Sequence, residues 1–326
     1  VRQRSFERNL SVARHCKSIA DLKLQDLKPN NFQKLYTTIQ LSGETKRKVH
    51  VLLSSALSQA VRNGLIETNP MEGVIPPKVI REEVVIFTKA EVEALLEAAN
   101  KHPWYPVLLL AAHTGMRLGE ILGLRWQDVD LDGKTVHIRQ TLQVGSTGFI
   151  SDEPKTKNSK RKISIPASTA AVLRQLRKKY MDNLSLPTDE DLGRLCFTTS
   201  VSTPINTRNF ERWWENLQKE CNPEYKELCH KRQQLCGLKK TNTKEFRDVV
   251  EKIKIVAKEN HKKFHALRHT HATELLAAGI PLIDVSRRLG HAKPSTTLDL
   301  YGHVLPGNDE IVAKKVAKLY RIREEL

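Results

Sequence analysis

Tyr301, ten residues after the segment Leu289-Gly290-His291, is a phenol that can attack an electrophile. With a pKa of ~10 in water it does so only when a base takes its proton or nearby cations favour the phenolate. Three other segments hold groups that can assist such an attack. They are Thr114-Gly115-Met116-Arg117-Leu118-Gly119-Glu120, Pro154-Lys155-Thr156-Lys157, and His265-Ala266-Leu267-Arg268-His269-Thr270-His271-Ala272-Thr273. The planar guanidinium forks of Arg117 and Arg268 suit a crowded, negatively charged transition state such as that of a phosphodiester. His265 is the candidate base, and a lysine can protonate a departing oxygen. Glu120, one turn after Arg117, can orient the guanidinium.

Taken singly, each group has a plainer role. Arg117 and Glu120 at i, i+3 make an ordinary surface ion pair, and a tyrosine near a helix end usually packs as an aromatic. His269 and His271 share a helix with the apolar residues Ala272, Leu275 and Leu276 and are expected to be structural, with no part in catalysis. Lys155, Lys157, Lys160, Arg161 and Lys162 read as a solvated hairpin rim, with one lysine reserved for chemistry and phosphate contact open to the rest. Cys221, Cys229, His230 and Cys236 match no ligand pair two to four residues apart, so no metal is expected.

The elements that must position these groups are mostly helical. Pro29 and Asn30 open a short helix. Ser42 and Gly43 start a longer one in which Val49, Leu52, Leu53, Ala56, Leu57, Ala60 and Val61 recur every three or four residues. Pro76-Pro77-Lys78 and Arg81-Glu82-Glu83 form a linker, so the expected domains are 1–84, helical, and 85–326. The second opens on a capping box, Thr88 with Glu91, and a helix to about Asn100, followed by an apolar helix from Pro103 to His113. Alternation over Thr135 to Val144 and over Lys162 to Pro166 indicates one small antiparallel sheet. Helices resume at Ser168 to Asp182, Asn209 to Glu220 and from Ala266 onward. Residues 220–263 are basic and weakly patterned, an insertion of no evident role. The tail, 309–326, carries Ile311, Val312, Val316, Leu319 and Ile322 at helical spacing and must bury that stripe. The fold class is therefore mainly α with a small antiparallel β-sheet.

Composition narrows the partners. The 326 residues carry 54 Lys and Arg against 37 Asp and Glu, a net charge of +17, which on a chain with 39% hydrophobic residues points to a polyanion, nucleic acid first. The longest apolar run, Val107 to Ala112, is too short for a bilayer, so no membrane partner is expected. The amino end starts without Met and lacks the apolar stretch of a signal peptide. Five scattered cysteines fit the reducing cytoplasm as free thiols.

The four segments, in this order, resemble the tyrosine recombinase family of phage integrases, conjugative-transposon integrases and Xer-type resolvases, over about residues 20–305. The resemblance implies a helical core DNA-binding domain and a mixed α+β catalytic domain. It also implies a bacterial or phage-encoded, DNA-associated enzyme that cleaves and rejoins strands through a 3′-phosphotyrosine, integrating or excising a mobile element without metal or cofactor. Catalytic residues carried over are Arg117, Lys155, His265, Arg268, His291 and the nucleophile Tyr301, with Glu120 in support; Lys155 is preferred to Lys157 because Lys155-Thr156 matches the family's Lys-Thr turn. Double-stranded recombination sites, a homotetramer assembled on DNA, and accessory bending or directionality factors are the implied partners. A type IB topoisomerase of similar chemistry and a DNA-binding accessory protein of the same fold are the alternatives.

Overall fold

The computed structural model describes residues 3–80, 84–145, 148–152, 160–182, 193–238, 240–302, 313 and 316–317. Lys155, Lys157 and, apart from those last three residues, the 309–326 tail lie outside the described residues. The chain divides into two compact units, residues 1–83 and 84–326.

The first unit is helical. Its helices are α1 (Gln3–Ala13), α2 (Pro29–Thr38) and α3 (Gly43–Arg62), joined by short 3-10 turns. Ser42 caps α3, its hydroxyl accepting from the Thr45 amide at 3.3 Å. Phe32, Leu35, Tyr36, Val49, Leu57 and Met71 form the core, to which α1 contributes Val12. The sequence pattern does not announce α1, whose only buried residue among those described is Val12.

The second unit begins with α4 (Lys89–Ala99), where the capping box is reciprocal: the Thr88 amide donates to Glu91 Oε2 at 2.7 Å and the Glu91 amide to Thr88 Oγ1 at 3.2 Å. Then come α5 (Tyr105–Thr114), buried over most of its length, and the single turn α6 (Leu118–Leu122). The expected single sheet is two. β1 (Val129–Asp130), β2 (Thr135–Ile138) and β5 (Arg161–Ser164) form an antiparallel three-stranded sheet with Val136 opposite both Val129 and Ile163. β3 (Thr141–Gly145) and β4 (Gly148–Asp152) pair separately as a hairpin, Thr141 opposite Asp152. The split falls at Arg139 and Gln140, which end β2 before β3 begins.

Helices α7 (Ala167–Asp182), α8 (Thr207–Cys221), α9 (Pro223–Gly237), α10 (Lys244–Glu259), α11 (Ala266–Ala277), α12 (Leu282–Leu289) and α13 (Pro294–Tyr301) complete the described unit. The weak patterning assigned to residues 220–263 is corrected here. α9 and α10 form a helical hairpin with its own small core of Leu235, Val249 and Ile253, and α10 spaces Phe246, Val249, Ile253 and Val256 on one face. The main core gathers Leu108, Ile121, Trp126, Val136, Leu173 and Trp214. Phe264 packs edge-on against Phe210 and Trp214, with ring centroids 4.9 and 5.2 Å apart, which anchors the chain just before α11. All five cysteines are unpaired.

Candidate active site

Arg117 sits where α5 has ended and α6 starts. Gly115, at φ +63°, closes α5 in the left-handed region, where an added Cβ would lie 2.7 Å from the His271 ring and 2.9 Å from Leu289. Arg117 is then the N-cap of α6: its amide donates to Glu120 Oε2 at 3.0 Å and its Nη1 to Glu120 Oε1 at 2.9 Å. The Arg117 side chain is 41% exposed and the Glu120 side chain 6%. This is no surface pair, because a second arginine holds the same carboxylate from inside. Arg161 donates from Nη1 and Nη2 to the two Glu120 oxygens at 3.1 and 2.8 Å, and from Nε to the Arg288 carbonyl at 2.7 Å. Burial alone would raise the Glu120 pKa; the hydrogen bonds and charge of Arg161, then the charge of Arg117, bring it down to about 2.

Arg161 therefore leaves the solvated rim expected of it from the sequence. Its side chain is as buried as that of Glu120, and it shares the inward face of β5 with Ile163. The two-residue alternation of Arg161 and Ile163 is the available signal.

α11 supplies the next groups. Arg268 is buried at 2% exposure, its fork donating to the Gly115 carbonyl at 2.7 Å and the Leu289 carbonyl at 2.6 Å. It thereby ties together the ends of α5 and α12. Burial, then the Arg117 charge, pushes its pKa down to about 9, so it is a cation at neutral pH. His265 is the N-cap of α11 and an exposed residue, its ring partly buried. Partial burial of the ring first, then the charges of His269, Arg268 and Arg117, pushes its pKa down to about 4, leaving a neutral imidazole. His291 follows the left-handed Gly290 that closes α12. Its Nδ1 lies 2.7 Å from the hydroxyl of the buried Thr297, and burial followed by the charge of Arg268 holds its pKa at about 4.

Tyr301 closes α13 at 1% exposure, packed with Ala272, Leu276, Val285 and Leu289. Burial pushes its pKa up to about 12, while the charges of Arg268 and Arg117 oppose that rise. The ring in contact with the phenol is not the expected one. His269 Nδ1 lies 2.6 Å from the Tyr301 hydroxyl, whereas among the described residues no hydrogen bond joins His265 to Tyr301. His265 instead meets His269 edge-on, with centroids 4.8 Å apart and planes at 90°. The apolar neighbours on its helix conceal His269 in the sequence. The i, i+4 spacing from His265, which puts both rings on one face, is the signal that could reveal it.

His271 keeps the structural role expected of it: Nδ1 lies 3.0 Å from the Ala112 carbonyl, and Nε2 accepts from Arg288 Nε at 3.0 Å. Among the described residues, no three His, Cys, Asp or Glu side chains converge as metal ligands. Chemically, the arrangement offers two guanidinium cations, neutral imidazoles and a buried phenol, drawn from distant stretches of sequence. Those are the parts needed to bind a phosphoryl group and attack it.

Comparison with known proteins agrees with that chemistry. The phage integrase family matches residues 86–236 and 229–307, a division that falls at the α9–α10 hairpin. A tyrosine recombinase XerC-like protein of Caldanaerobacter subterraneus subsp. tengcongensis is 28% identical over 308 residues, covering 87% of this chain and 69% of that protein. The ICEBs1 integrase of Bacillus subtilis is 24% identical, covering 89% and 69% respectively. Among solved structures, the Tn1549 transposon integrase in complex with transposon right end DNA has a TM-score of 0.73 at 18% identity, covering 98% of this chain and 95% of that one. At that identity the likeness shows a shared fold.

Proposed function

The chain belongs to the phage integrase family and is a site-specific DNA recombinase; from that premise we propose how its own residues perform the reaction. Duplex DNA is the substrate, and Tyr301 is the nucleophile. Its Oη attacks the scissile phosphorus, the P–O5′ bond breaks, and the 3′ phosphate stays on the tyrosine until a 5′ hydroxyl of the partner duplex displaces it. Arg117 and Arg268 bind the non-bridging oxygens, where their charge counts most as the phosphorane forms. Glu120, pinned by Arg161, fixes the Arg117 fork. His291 donates to the same phosphate, and His265 and His269 share the side of α11 next to the phenol. Lys155 protonates the 5′ oxygen. Residues 1–84 act as a helical DNA-binding domain, and four copies assemble on two DNA sites, with accessory bending or directionality factors setting the outcome.

The observation that carries this reading is the placement of a buried phenol under the charges of Arg268 and Arg117, which favour its phenolate against the rise imposed by burial. A relaxing topoisomerase would use similar chemistry on one duplex; the family match favours the recombinase. Among the described residues no helix is long and apolar enough to cross a membrane. Incubating the protein with two distinguishable duplexes that carry its site tests the reading. Recombinant products joining one duplex to the other are expected. Relaxation of supercoiled DNA with no inter-duplex product would replace it with the topoisomerase.

A further inference from the structure

We infer that His269 is the base that takes the phenolic proton of Tyr301, and that His265, the residue the sequence favours for that step, serves the phosphate side. The inference rests on the reading of Tyr301 as nucleophile. Three observations carry it. His269 Nδ1 is 2.6 Å from the phenolic oxygen, the distance across which a proton moves directly, without a water between. The ring is held in place: it stands one residue after Arg268, whose two carbonyl bonds fix that turn of α11, and it meets the His265 ring at right angles with centroids 4.8 Å apart. Third, His265 is an exposed residue where His269 is half-buried, and it makes no hydrogen bond to the phenol among the described residues. An arriving phosphate can reach His265, while His269 lies against Tyr301.

The proton balance follows. With the imidazole neutral and its own proton on Nε2, Nδ1 accepts the phenolic hydrogen bond. As Tyr301 Oη bonds to phosphorus, the O–H bond breaks and its proton passes to Nδ1, giving an imidazolium. The P–O5′ bond breaks at the same time, and the leaving oxygen takes a proton from the general acid. Burial and the charge of Arg268 disfavour an imidazolium at rest, so the charge lasts only while the phosphotyrosine does, and religation returns the proton to the phenol.

The test is single-turnover formation of the covalent adduct on a nicked duplex that traps it, with the whole chain and with DNA affinity measured in parallel. His269→Asn keeps an acceptor for the phenol and has no basic nitrogen. It is expected to cleave about 10²–10⁴-fold slower while binding DNA within about threefold of the parent. His269→Gly, equally slow, is expected to regain rate with added imidazole. Because that rescue reads only protein able to cleave, it keeps the test decisive even where an Asn variant folds poorly. The inference is overturned if His269→Asn cleaves within a few-fold of the parent, or if imidazole rescues His265→Gly and not His269→Gly. An adduct that persists in Tyr301→Phe overturns the proposed nucleophile instead, so the two failures are distinct.

Discussion

Glu120 carries no expected contact with DNA, yet two arginines depend on it in different ways. Arg161 is buried with it, so Arg161→Met takes away its inner partner, leaves the buried carboxylate to Arg117 alone and should cost up to about 3–5 kcal/mol in a denaturant melt. Arg117 is 41% exposed, so Arg117→Ala should cost no more than about 1 kcal/mol of stability while abolishing cleavage. The same carboxylate sets an acid limit. Its pKa falls from 4.5 in the unfolded chain to about 2 in the fold, so its contribution, about 3 kcal/mol, is complete above pH 4.5 and is lost as pH falls toward 2. Lys155 is tested separately by replacing the 5′ oxygen of the scissile phosphate with sulfur, which departs without a proton. Lys155→Ala should cleave ordinary DNA about 10²–10⁴-fold slower and the sulfur-substituted DNA near the parental rate. If Lys157→Ala shows that rescue and Lys155→Ala does not, the roles exchange. Arg117, Arg268 and Tyr301 can be proposed from the sequence because a phosphoryl transition state demands cations and a nucleophile in any fold. The choice between His265 and His269 is not, because only the packing of α13 on α11 decides which imidazole meets the phenol.

Element ends, more than element interiors, build this site. Gly115 closes α5, Gly290 closes α12, and Arg268 binds the carbonyls at both ends, so a change at either joint should move the guanidinium fork proposed to bind phosphate. Gly115→Ala puts a Cβ against His271 and Leu289 at a positive φ and should cost about 1–3 kcal/mol, with cleavage falling further than DNA binding. His271 braces the same joint as a neutral ring between Ala112 and Arg288. Burial first, and Arg288 next, lowers its pKa from 6.5 to about 4. The unfolded chain therefore binds the proton more readily, so this brace is intact above pH 6.5 and stability falls as pH drops toward 4. His271→Gln, with no proton to gain, should lose less melting temperature than the parent between pH 7 and pH 5. Equal losses would remove His271 from that account. The capping box at Thr88 is legible because it depends on local chemistry alone. β3 reads as part of the same sheet as β2 because alternation reports burial on one face and says nothing about which strand lies alongside, and β4 falls outside the two alternating stretches altogether. α10 escapes the sequence pattern because its basic residues obscure a regular stripe of Phe246, Val249, Ile253 and Val256.

At the scale of the molecule, the charge of +17 sets how the protein meets DNA, and both units share the basic excess. Each phosphate contact adds about −0.9 to the slope of log K against log salt, so a protein lacking residues 1–83 should bind its site more weakly and with a shallower slope. An unchanged slope would remove the first unit from the interface. Two compact units are foreseeable from the proline-rich stretch before residue 84, because a chain that can neither continue a helix nor bury apolar residues there has little means of joining two cores. The α9–α10 hairpin, which falls where the family match divides, is foreseeable only as an interruption. The central claim is that strand cleavage passes through Tyr301. It is tested most directly by trapping the protein on end-labelled, nicked site DNA, digesting the adduct and locating the DNA-linked peptide by mass spectrometry. The account predicts a 3′-phosphate ester on Tyr301 that vanishes in Tyr301→Phe while DNA binding persists; a linkage on any other residue, or an adduct surviving in Tyr301→Phe, would contradict it.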